Sequence, residues 1–236
     1  MDNRTEPLAP GVWRIEVGVF TNAYLIARDG HGDADGLVLV DTGSCRAAPR
    51  LVRSIRMLGF VASAVDTVLL THWHADHAGS APRFAASAAG SAVKARPPDD
   101  AVVAGATAPV VSASRRVGRV LQRGVPRPQP VECTPLGDEE TQAGGLQVVA
   151  APGHTLGHTA FWLPEHGVLL AGDAVFGILR VATGPRVLQA APEAAPDTLR
   201  RLAGLDPAVV ALGHGPPLRR SPALRLARLA ERAAPR

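Results

Sequence analysis

The stretch VLLTHWHADHAG, residues 68–79, is an apolar run that ends in four potential metal ligands within six residues. Its apolar half is short and uninterrupted, which predicts a buried strand. No other stretch of the chain is as dense in ligand-type side chains. We therefore expect the fold to be organised around a strand that ends at a metal site.

The spacing of these side chains limits how they can share an ion. In an extended chain His72, His74 and Asp76 would point to the same face at period two, and three such groups could hold a cation. Asp76 and His77 are neighbours and would point to opposite faces of a straight strand. If both are ligands, the chain must turn at this point, into a helix.

Two interpretations of the histidines compete. A lone histidine more often caps a helix, makes a hydrogen bond or lies half buried than binds a metal, and motif matches carry this risk. The full His-x-His-x-Asp-His pattern at the mouth of an apolar strand is much more demanding. Imidazole and carboxylate groups also suit zinc or iron. The pattern therefore favours a metal site.

Three later residues complete a known arrangement. The first pattern is followed, in order, by His154, Asp173 and His214, each beside a glycine. Together these motifs resemble the metallo-β-lactamase superfamily over about residues 11–218. The resemblance implies an α/β fold, a four-layered αββα sandwich in a single domain. We expect that domain to take up residues 1–236, with a short C-terminal helical tail after its core.

The resemblance also implies how the ligands are shared. Seven residues would form two sites with one common carboxylate. They are His72, His74 and His154 in the first site, Asp76, His77 and His214 in the second, and Asp173 as the bridge. The protein ligands of each site would be imidazole and carboxylate groups without thiolate, and they would leave coordination positions open. Such sites suit two zinc ions, with iron or manganese as alternatives.

The chemistry follows from the same resemblance, in particular to glyoxalase II-like members. A hydroxide that bridges two cations is a nucleophile at neutral pH, because the metal lowers the pKa of bound water to about 7. Asp76 is the expected catalytic residue, since it can orient that hydroxide or pass a proton to the leaving group. We predict a metallo-hydrolase that cleaves an ester-like acyl bond of a small molecule, a thioester or a lactone.

Four further positions bear on this prediction. In the family, an aspartate at the position of Asp41 supports a ligand histidine, although a turn aspartate is an equal alternative. His158 is expected to be structural or to support a ligand. Phe176 replaces a tyrosine usual in the lactone-hydrolysing branch, which weakens the lactonase interpretation. The tail after Gly215 is shorter than the substrate domain of glyoxalase II, which weakens glutathione thioesters as substrates.

Other functions on the same scaffold stay open. Persulfide dioxygenases bind a single iron on residues that would here be His72, His154 and Asp173, but they usually carry a cysteine at the position of His158. A nuclease would need a basic groove and usually an added domain. A non-catalytic member would be expected to have lost ligands, and all seven are present.

Composition and charge restrict the partners and the compartment. The formal net charge is 25 − 21 = +4, and Lys94 is the only lysine. The arginines are scattered, so we expect no nucleic-acid partner. Two cysteines, no apolar leader segment and no apolar run long enough to span a bilayer predict a cytoplasmic protein with no membrane partner. The oligomeric state has no signature in the sequence.

Hydrophobic periodicity and turn residues predict the remaining elements. Strands are expected at residues 12–17, 22–27, 37–40, 65–70, 91–95, 145–150, 159–163, 168–171 and 208–212. Helices are expected at residues 47–58, 80–89, 110–122, 197–204 and 222–234. In the resembling family the region 99–130 shapes substrate access. Four arginines there could contact an anionic substrate or simply line a solvated helix face: Arg115, Arg116, Arg119 and Arg123.

Overall fold

Each predicted strand is present in the computed structural model, which describes residues 5–28, 36–87, 90–110, 124–138, 140–186 and 189–234. Twelve strands lie in these ranges: β1 Thr5–Ala9, β2 Val12–Glu16, β3 Asn22–Ala27, β4 Leu37–Val40, β5 Val65–Leu69, β6 Ala92–Ala95, β7 Thr134–Pro135, β8 Thr141–Gln142, β9 Leu146–Ala150, β10 Thr159–Leu163, β11 Val168–Phe176 and β12 Val209–His214. β1, β7 and β8 were not expected, and β1 pairs antiparallel with β2.

The strands form two mixed sheets. The first has the order β1-β2-β3-β4-β5-β6-β7, and the second has the order β12-β11-β10-β9-β8. In the first sheet the pairs from β1 to β4 are antiparallel and those from β4 to β7 are parallel. In the second sheet only β11 and β12 run parallel. The predicted hairpin of β10 and β11 is confirmed, with Leu163 opposite Val168.

Helices connect the strands. The described residues contain α1 Ala48–Met57, α2 Ala75–Ala78, α3 Ala81–Ala85, α4 Asp99–Val103, α5 Ala195–Gly204 and α6 Pro222–Ala233, with short 3-10 turns at Ala62–Ala64, Ala143–Gly145 and Pro164–His166. The predicted helices over 47–58, 197–204 and 222–234 correspond to α1, α5 and α6. Beyond α1, Gly59 takes φ +93°, a left-handed conformation that ends the helix.

A central apolar cluster joins the two sheets. Ile26 and Val40 of the first sheet meet Phe161 and Leu170 of the second, and all four side chains are buried. Side chains of one strand alternate between faces, so every second residue of each strand is available to this cluster. The sheets therefore lie face to face across one shared core.

Helices cover the outer faces of both sheets. Leu25 and Leu39 alternate with the central residues and cluster instead with Leu51 of α1. On the far side, Leu169 of β11 clusters with Leu202 of α5. Because these strands are covered on both faces, they are apolar throughout rather than alternating. The layers follow the order helix, sheet, sheet, helix, which confirms the predicted αββα sandwich.

Two helix predictions need correction or fall outside the described residues. The helix predicted over residues 80–89 ends at Ala85, because Ser87 N donates to Phe84 O in a tighter i to i−3 turn and Gly90 turns left-handed. Apart from its first residue, the helix predicted over 110–122 lies outside the described residues, as do Arg115, Arg116, Arg119 and Arg123. Within the described ranges, no helix has the length and apolarity needed to span a membrane.

Candidate metal centre

The seven predicted ligands come together at one edge of the sandwich. His72 and His74 follow β5, Asp76 and His77 lie in α2, and the remaining three come from the second sheet. Those three are His154 in the turn after β9, Asp173 within β11 and His214 at the end of β12. They form three overlapping groups whose ligand atoms lie within 4.8 Å of one another in each group, and one of these, His72, His77 and Asp173, overlaps each of the two groups described next. Both sheets therefore contribute to a single cluster.

The first of these groups contains only imidazoles and is called here the three-histidine group, His72, His74 and His154. His74 Nδ1 lies 2.9 Å from His72 Nε2 and 2.9 Å from His154 Nε2. Burial lowers the pKa of His74 to about 4 and holds the pKa values of the other two well below the ordinary value. All three rings are therefore neutral at pH 7, with lone pairs free to bind a cation.

The second group mixes imidazole with carboxylate and is called here the Asp76 group, Asp76, His77 and His214. His77 Nε2 lies 3.2 Å from His214 Nε2, and Asp76 Oδ2 lies 3.3 Å from the same His214 atom. Burial opposes the charged form of His214, yet hydrogen bonds to Asp173 and Asp76 raise its pKa to about 9. This group therefore carries positive charge on its imidazoles before any cation binds.

Asp173 lies between the two groups. Its Oδ2 is 3.5 Å from His154 Nε2 and 3.4 Å from His214 Nε2, and its Oδ1 is 3.5 Å from His77 Nε2. The carboxylate is 3% exposed, and Oδ1 makes no hydrogen bond to any described residue. A buried carboxylate oxygen without a hydrogen-bond partner is costly unless a ligand completes its environment.

The donor set and its spacing fit divalent cations. Two nitrogens bound tetrahedrally to one zinc ion at about 2.1 Å lie about 3.4 Å apart. The nitrogen–nitrogen contacts within the two groups measure 2.9 to 3.2 Å, close to that separation. The unsatisfied Asp173 oxygen faces the same space. The residues present thus suit the predicted metals, and their assignment as ligands stays a prediction.

The period-two arrangement that an extended chain would give His72, His74 and Asp76 does not occur. β5 already ends at Leu69, and the backbone N–H groups of His77 and Ala78 both donate to His74 O as the chain enters α2. The turn into a helix was predicted correctly. Its effect is that Asp76 leaves the other two residues and joins the second group.

Asp41 fixes the orientation of His77. Its Oδ2 lies 2.8 Å from His77 Nδ1, and its two oxygens also accept hydrogen bonds from Thr71 N and Thr71 Oγ1. Asp41 has φ +60°, a strained value for a residue other than glycine that often occurs at functional sites. With the Nδ1–H held by Asp41, His77 Nε2 is directed at the cluster, as expected for a supporting residue.

His158 holds Asp173 rather than joining either group. Its Nε2 accepts a hydrogen bond from Asp173 N at 3.0 Å, and burial lowers the pKa of His158 to about 4. A neutral ring that accepts at Nε2 carries its proton on Nδ1. His158 is therefore a structural support beneath the carboxylate, as the sequence suggested.

Three polar residues that sequence reasoning missed hold the turn that carries His214. Asn22 Nδ2 donates to Leu212 O at 2.9 Å and to Gly215 O at 2.7 Å. Tyr24 Oη also donates to Leu212 O, and Arg14 Nη1 donates to Gly215 O at 3.2 Å. These side chains belong to β2 and β3, where they alternate with apolar residues. A buried asparagine in an otherwise apolar strand was the one local signal.

Phe176 covers the cluster from the side of β11. Its ring is stacked on His214, with centroids 5.4 Å apart and planes at 11°, and it meets the His154 ring edge-on at 5.6 Å. It therefore contacts one imidazole from each group. The tyrosine hydroxyl of the lactone-hydrolysing branch is replaced here by an apolar wall.

Gly213→Ala is expected to abolish the geometry of the Asp76 group. A Cβ at this position would overlap Asp173 Oδ1 and approach His77 Cε1 to 2.9 Å. Zinc bound per chain, measured by elemental analysis, should fall below that of the wild type while the far-ultraviolet circular dichroism is retained. Gly204→Ala is the matched control, because no heavy atom lies within 4 Å of its added Cβ. Equal zinc content in the two variants would contradict this account.

Comparison with known sequences gives a consistent picture. The sequence model of the metallo-beta-lactamase superfamily matches residues 17–214. A hydroxyacylglutathione hydrolase of Rhodobacter capsulatus is 34% identical over 154 residues, which cover 62% of this chain and 47% of that protein. Thioesterase pkgB of Emericella nidulans is 29% identical over 197 residues, covering 83% of this chain and 46% of that protein. The chain thus spans about half the length of these curated relatives.

A solved structure of similar sequence has the same fold. The crystal structure of TTHA1623 in a di-iron-bound form superposes with a TM-score of 0.65 at 28% sequence identity. The match covers 94% of this chain and 98% of that one. The similarity extends over nearly the whole of both chains and therefore includes both sheets.

Proposed function

This chain belongs to the metallo-beta-lactamase superfamily, and on that premise we propose that it is a metal-dependent hydrolase that cleaves an ester-like acyl bond of a small molecule. A thioester is the preferred substrate class and a lactone the second. The observation that carries the proposal is the single buried cluster in which two groups of ligands share Asp173. Two zinc ions are the proposed cofactors, with iron or manganese as alternatives.

Two relatives support the thioester over the lactone. One is named a hydroxyacylglutathione hydrolase and the other a thioesterase. Phe176 supports the same preference, because its ring offers no hydroxyl to a lactone substrate. The chain spans about half the length of each relative, so thioester hydrolysis by this chain is a proposal.

The chain's own residues would hold and orient the reacting groups. When bound, the cations supply a hydroxide near neutral pH and polarise the scissile carbonyl. The neutral rings of His72, His74 and His154 present lone pairs without first losing protons. Asp173 contributes a negative charge to both groups, since burial is outweighed by His77 and His214 and its pKa lies well below the ordinary value.

Asp76 is proposed to orient the attacking water. Its side chain is 50% exposed at the mouth of the cluster, unlike the buried Asp173. Burial raises the pKa of Asp76, but the hydrogen bond from His214 and the charge of His77 lower it to about 2. So acidic a group stays ionised at neutral pH and is a poor proton store. It therefore acts as a hydrogen-bond acceptor for water more than as a proton carrier.

A cavity beside Asp76 can take the substrate. It has a volume of about 540 Å³ and opens next to the carboxylate. Its wall includes the largely apolar residues Cys45, Val125 and Pro128. It also includes one basic residue, Arg127. A volume of this size suits a small acyl compound, because small-molecule sites commonly measure about 300–1,000 Å³. The proposed substrate is accordingly a small acyl thioester with an apolar acyl group.

Metal removal tests the proposal. Protein purified without chelator should contain about two equivalents of zinc, iron or manganese and hydrolyse members of a panel of small thioesters and lactones. Chelation should abolish hydrolysis and metal addition should restore it, because the proposed hydroxide requires the cations. The measurements, on the same preparation, are elemental analysis, release of free thiol from the thioesters and release of acid from the lactones.

Several outcomes would overturn the proposal. Full activity in a metal-free preparation would exclude the proposed role of the ligand cluster. One equivalent of iron, no hydrolysis and oxygen uptake with glutathione persulfide would favour a mononuclear dioxygenase that uses His72, His154 and Asp173.

A further inference from the structure

Asp99 is a buried carboxylate outside both ligand groups. It is the first residue of α4 and is 2% exposed. No described lysine, arginine or histidine forms an ion pair with it within 4.0 Å. A buried carboxylate without a cationic partner costs several kcal/mol unless hydrogen bonds replace its hydration. Its position therefore requires strong compensating contacts.

Three donors supply that compensation. Thr155 Oγ1 donates to Asp99 Oδ2 at 2.6 Å, and Trp73 N donates to the same oxygen at 3.3 Å. Gly157 N donates to Asp99 Oδ1 at 3.0 Å. None of these hydrogen bonds goes to the helix that carries Asp99. The carboxylate thus serves two distant turns of the chain instead of its own helix.

These two turns carry all the imidazoles of the three-histidine group. Trp73 lies between His72 and His74, in the turn after β5 of the first sheet. Thr155 follows His154 directly, in the turn after β9 of the second sheet. One carboxylate therefore ties together the two backbone segments whose side chains must meet, although these segments belong to different sheets.

We propose that Asp99 is a positioning residue that sets the spacing of the three-histidine group and thereby its affinity for a cation. The inference rests on the proposed metal-dependent function. Asp99 touches neither an imidazole nor the cavity beside Asp76 in any described contact, so it acts through the two turns.

Close packing at Gly157 supports this role. A Cβ there would lie 2.7 Å from Asp99 Cγ and 2.5 Å from Arg96 O. Only a glycine lets the turn approach the carboxylate this closely. Burial raises the pKa of Asp99 to about 6, while the hydrogen bonds from Thr155, Gly157 and Trp73 and the charge of Arg96 lower it. The group is therefore mainly ionised at pH 7.5.

The test measures cation binding directly, in a His214→Ala background that disables the Asp76 group and leaves the three-histidine group. In that background Asp99→Asn replaces one acceptor oxygen by a donor, so at least one of the three donors loses its acceptor. Zinc affinity, measured by competition with a chelator, should fall about 10- to 100-fold, the usual effect of losing a partner that orients ligands. The visible spectrum of the cobalt-loaded protein should change with it.

Two further variants separate positioning from general folding. Thr155→Val removes one donor and keeps the side-chain shape, so its zinc affinity should fall in the same direction by a smaller factor. Asp100→Asn, one residue along α4, should leave zinc affinity and the cobalt spectrum unchanged. Thr155→Val also keeps the inference testable if Asp99→Asn fails to fold.

The outcomes distinguish a failure of the positioning role from a failure of the proposed metal-dependent function. If adding Asp99→Asn to the His214→Ala protein changes neither its zinc affinity nor its cobalt spectrum, the positioning role is wrong and the proposed hydrolase stands. Equal losses in Asp99→Asn and Asp100→Asn, with equal losses of melting temperature in the metal-free proteins, would also overturn it. If the unaltered chain binds none of zinc, cobalt, iron and manganese, the proposed function itself fails.

Discussion

Asp173→Asn is expected to lower kcat/KM for the thioester by about three orders of magnitude. Asp173 Oδ2 lies 3.5 Å from His154 Nε2 and 3.4 Å from His214 Nε2, so among the described residues it is the one carboxylate in contact with both ligand groups. An asparagine keeps the shape but removes the negative charge that both cations would share. Loss of metal-assisted stabilisation worth several kcal/mol corresponds to about a thousandfold in rate.

The measurement is kcat/KM together with metal content per chain. Asp206→Asn is the matched control, because Asp206 is exposed, has a left-handed backbone conformation that asparagine tolerates, and precedes β12, whose opposite end carries His214. The control should keep wild-type activity and metal content. An Asp173→Asn protein that retained both metal equivalents and lost less than tenfold in rate would show that the bridge is dispensable.

Zinc binding to the two groups is expected to differ sharply in its pH dependence. The Asp76 group holds protons at neutral pH. Burial lowers the pKa values of its two histidines, but the neighbouring carboxylates outweigh burial and raise the pKa of His214 to about 9 and that of His77 well above its ordinary value. The three-histidine group is already neutral above the pKa of His74, about 4. A cation needs an unprotonated ring, so only binding to the Asp76 group must displace protons.

Protons compete with zinc for the imidazoles of the Asp76 group. Raised pKa values mean that the competing protons are present below about pH 9 and are lost above it, so zinc affinity of the Asp76 group should rise with pH between 7 and 9. Displacement of one to two protons corresponds to about 10- to 100-fold per pH unit. Affinity of the three-histidine group should stay level over the same range.

Calorimetric titration of metal-free protein in buffers of different ionisation enthalpy reports the protons released at each step. We expect almost none with the tighter equivalent and one to two with the weaker. Asp41→Asn is a useful comparison, since it removes one of the carboxylates that raise the pKa of His77 and should reduce proton release. Equal release at both steps would contradict the charge states described above.

The strands could be predicted because nearly all of them are apolar on both faces. Leu25 packs in the cluster between the first sheet and α1, and Ile26 packs in the central cluster between the two sheets. Both faces of the strand therefore require apolar residues. β1 was missed since Glu6 and Pro7 interrupt its pattern, which an edge strand tolerates because one side lacks a partner. Local patterns therefore indicate central strands better than edges.

Ligand-type residues could be found from spacing, but their supporting residues could not. Asp41 and His158 lie near motifs and were weighed from the sequence. Asn22 and Asp99 act on backbone groups of turns that are distant in sequence, Asn22 on Leu212 O and Asp99 on Gly157 N. Such contacts depend only on how the two sheets meet, so no periodicity or motif along the chain records them.

The meeting of both sheets at one cluster has a consequence for unfolding. His74 and His154 are 80 residues apart, and His77 and His214 are 137 residues apart. An ion shared by either pair would be a noncovalent cross-link that closes a long loop and removes chain entropy from any partly opened state. Without it, the two sheets are joined at this edge by hydrogen bonds such as those of Asn22 and Asp99, and opening of the ion-free protein should begin there rather than in the apolar centre.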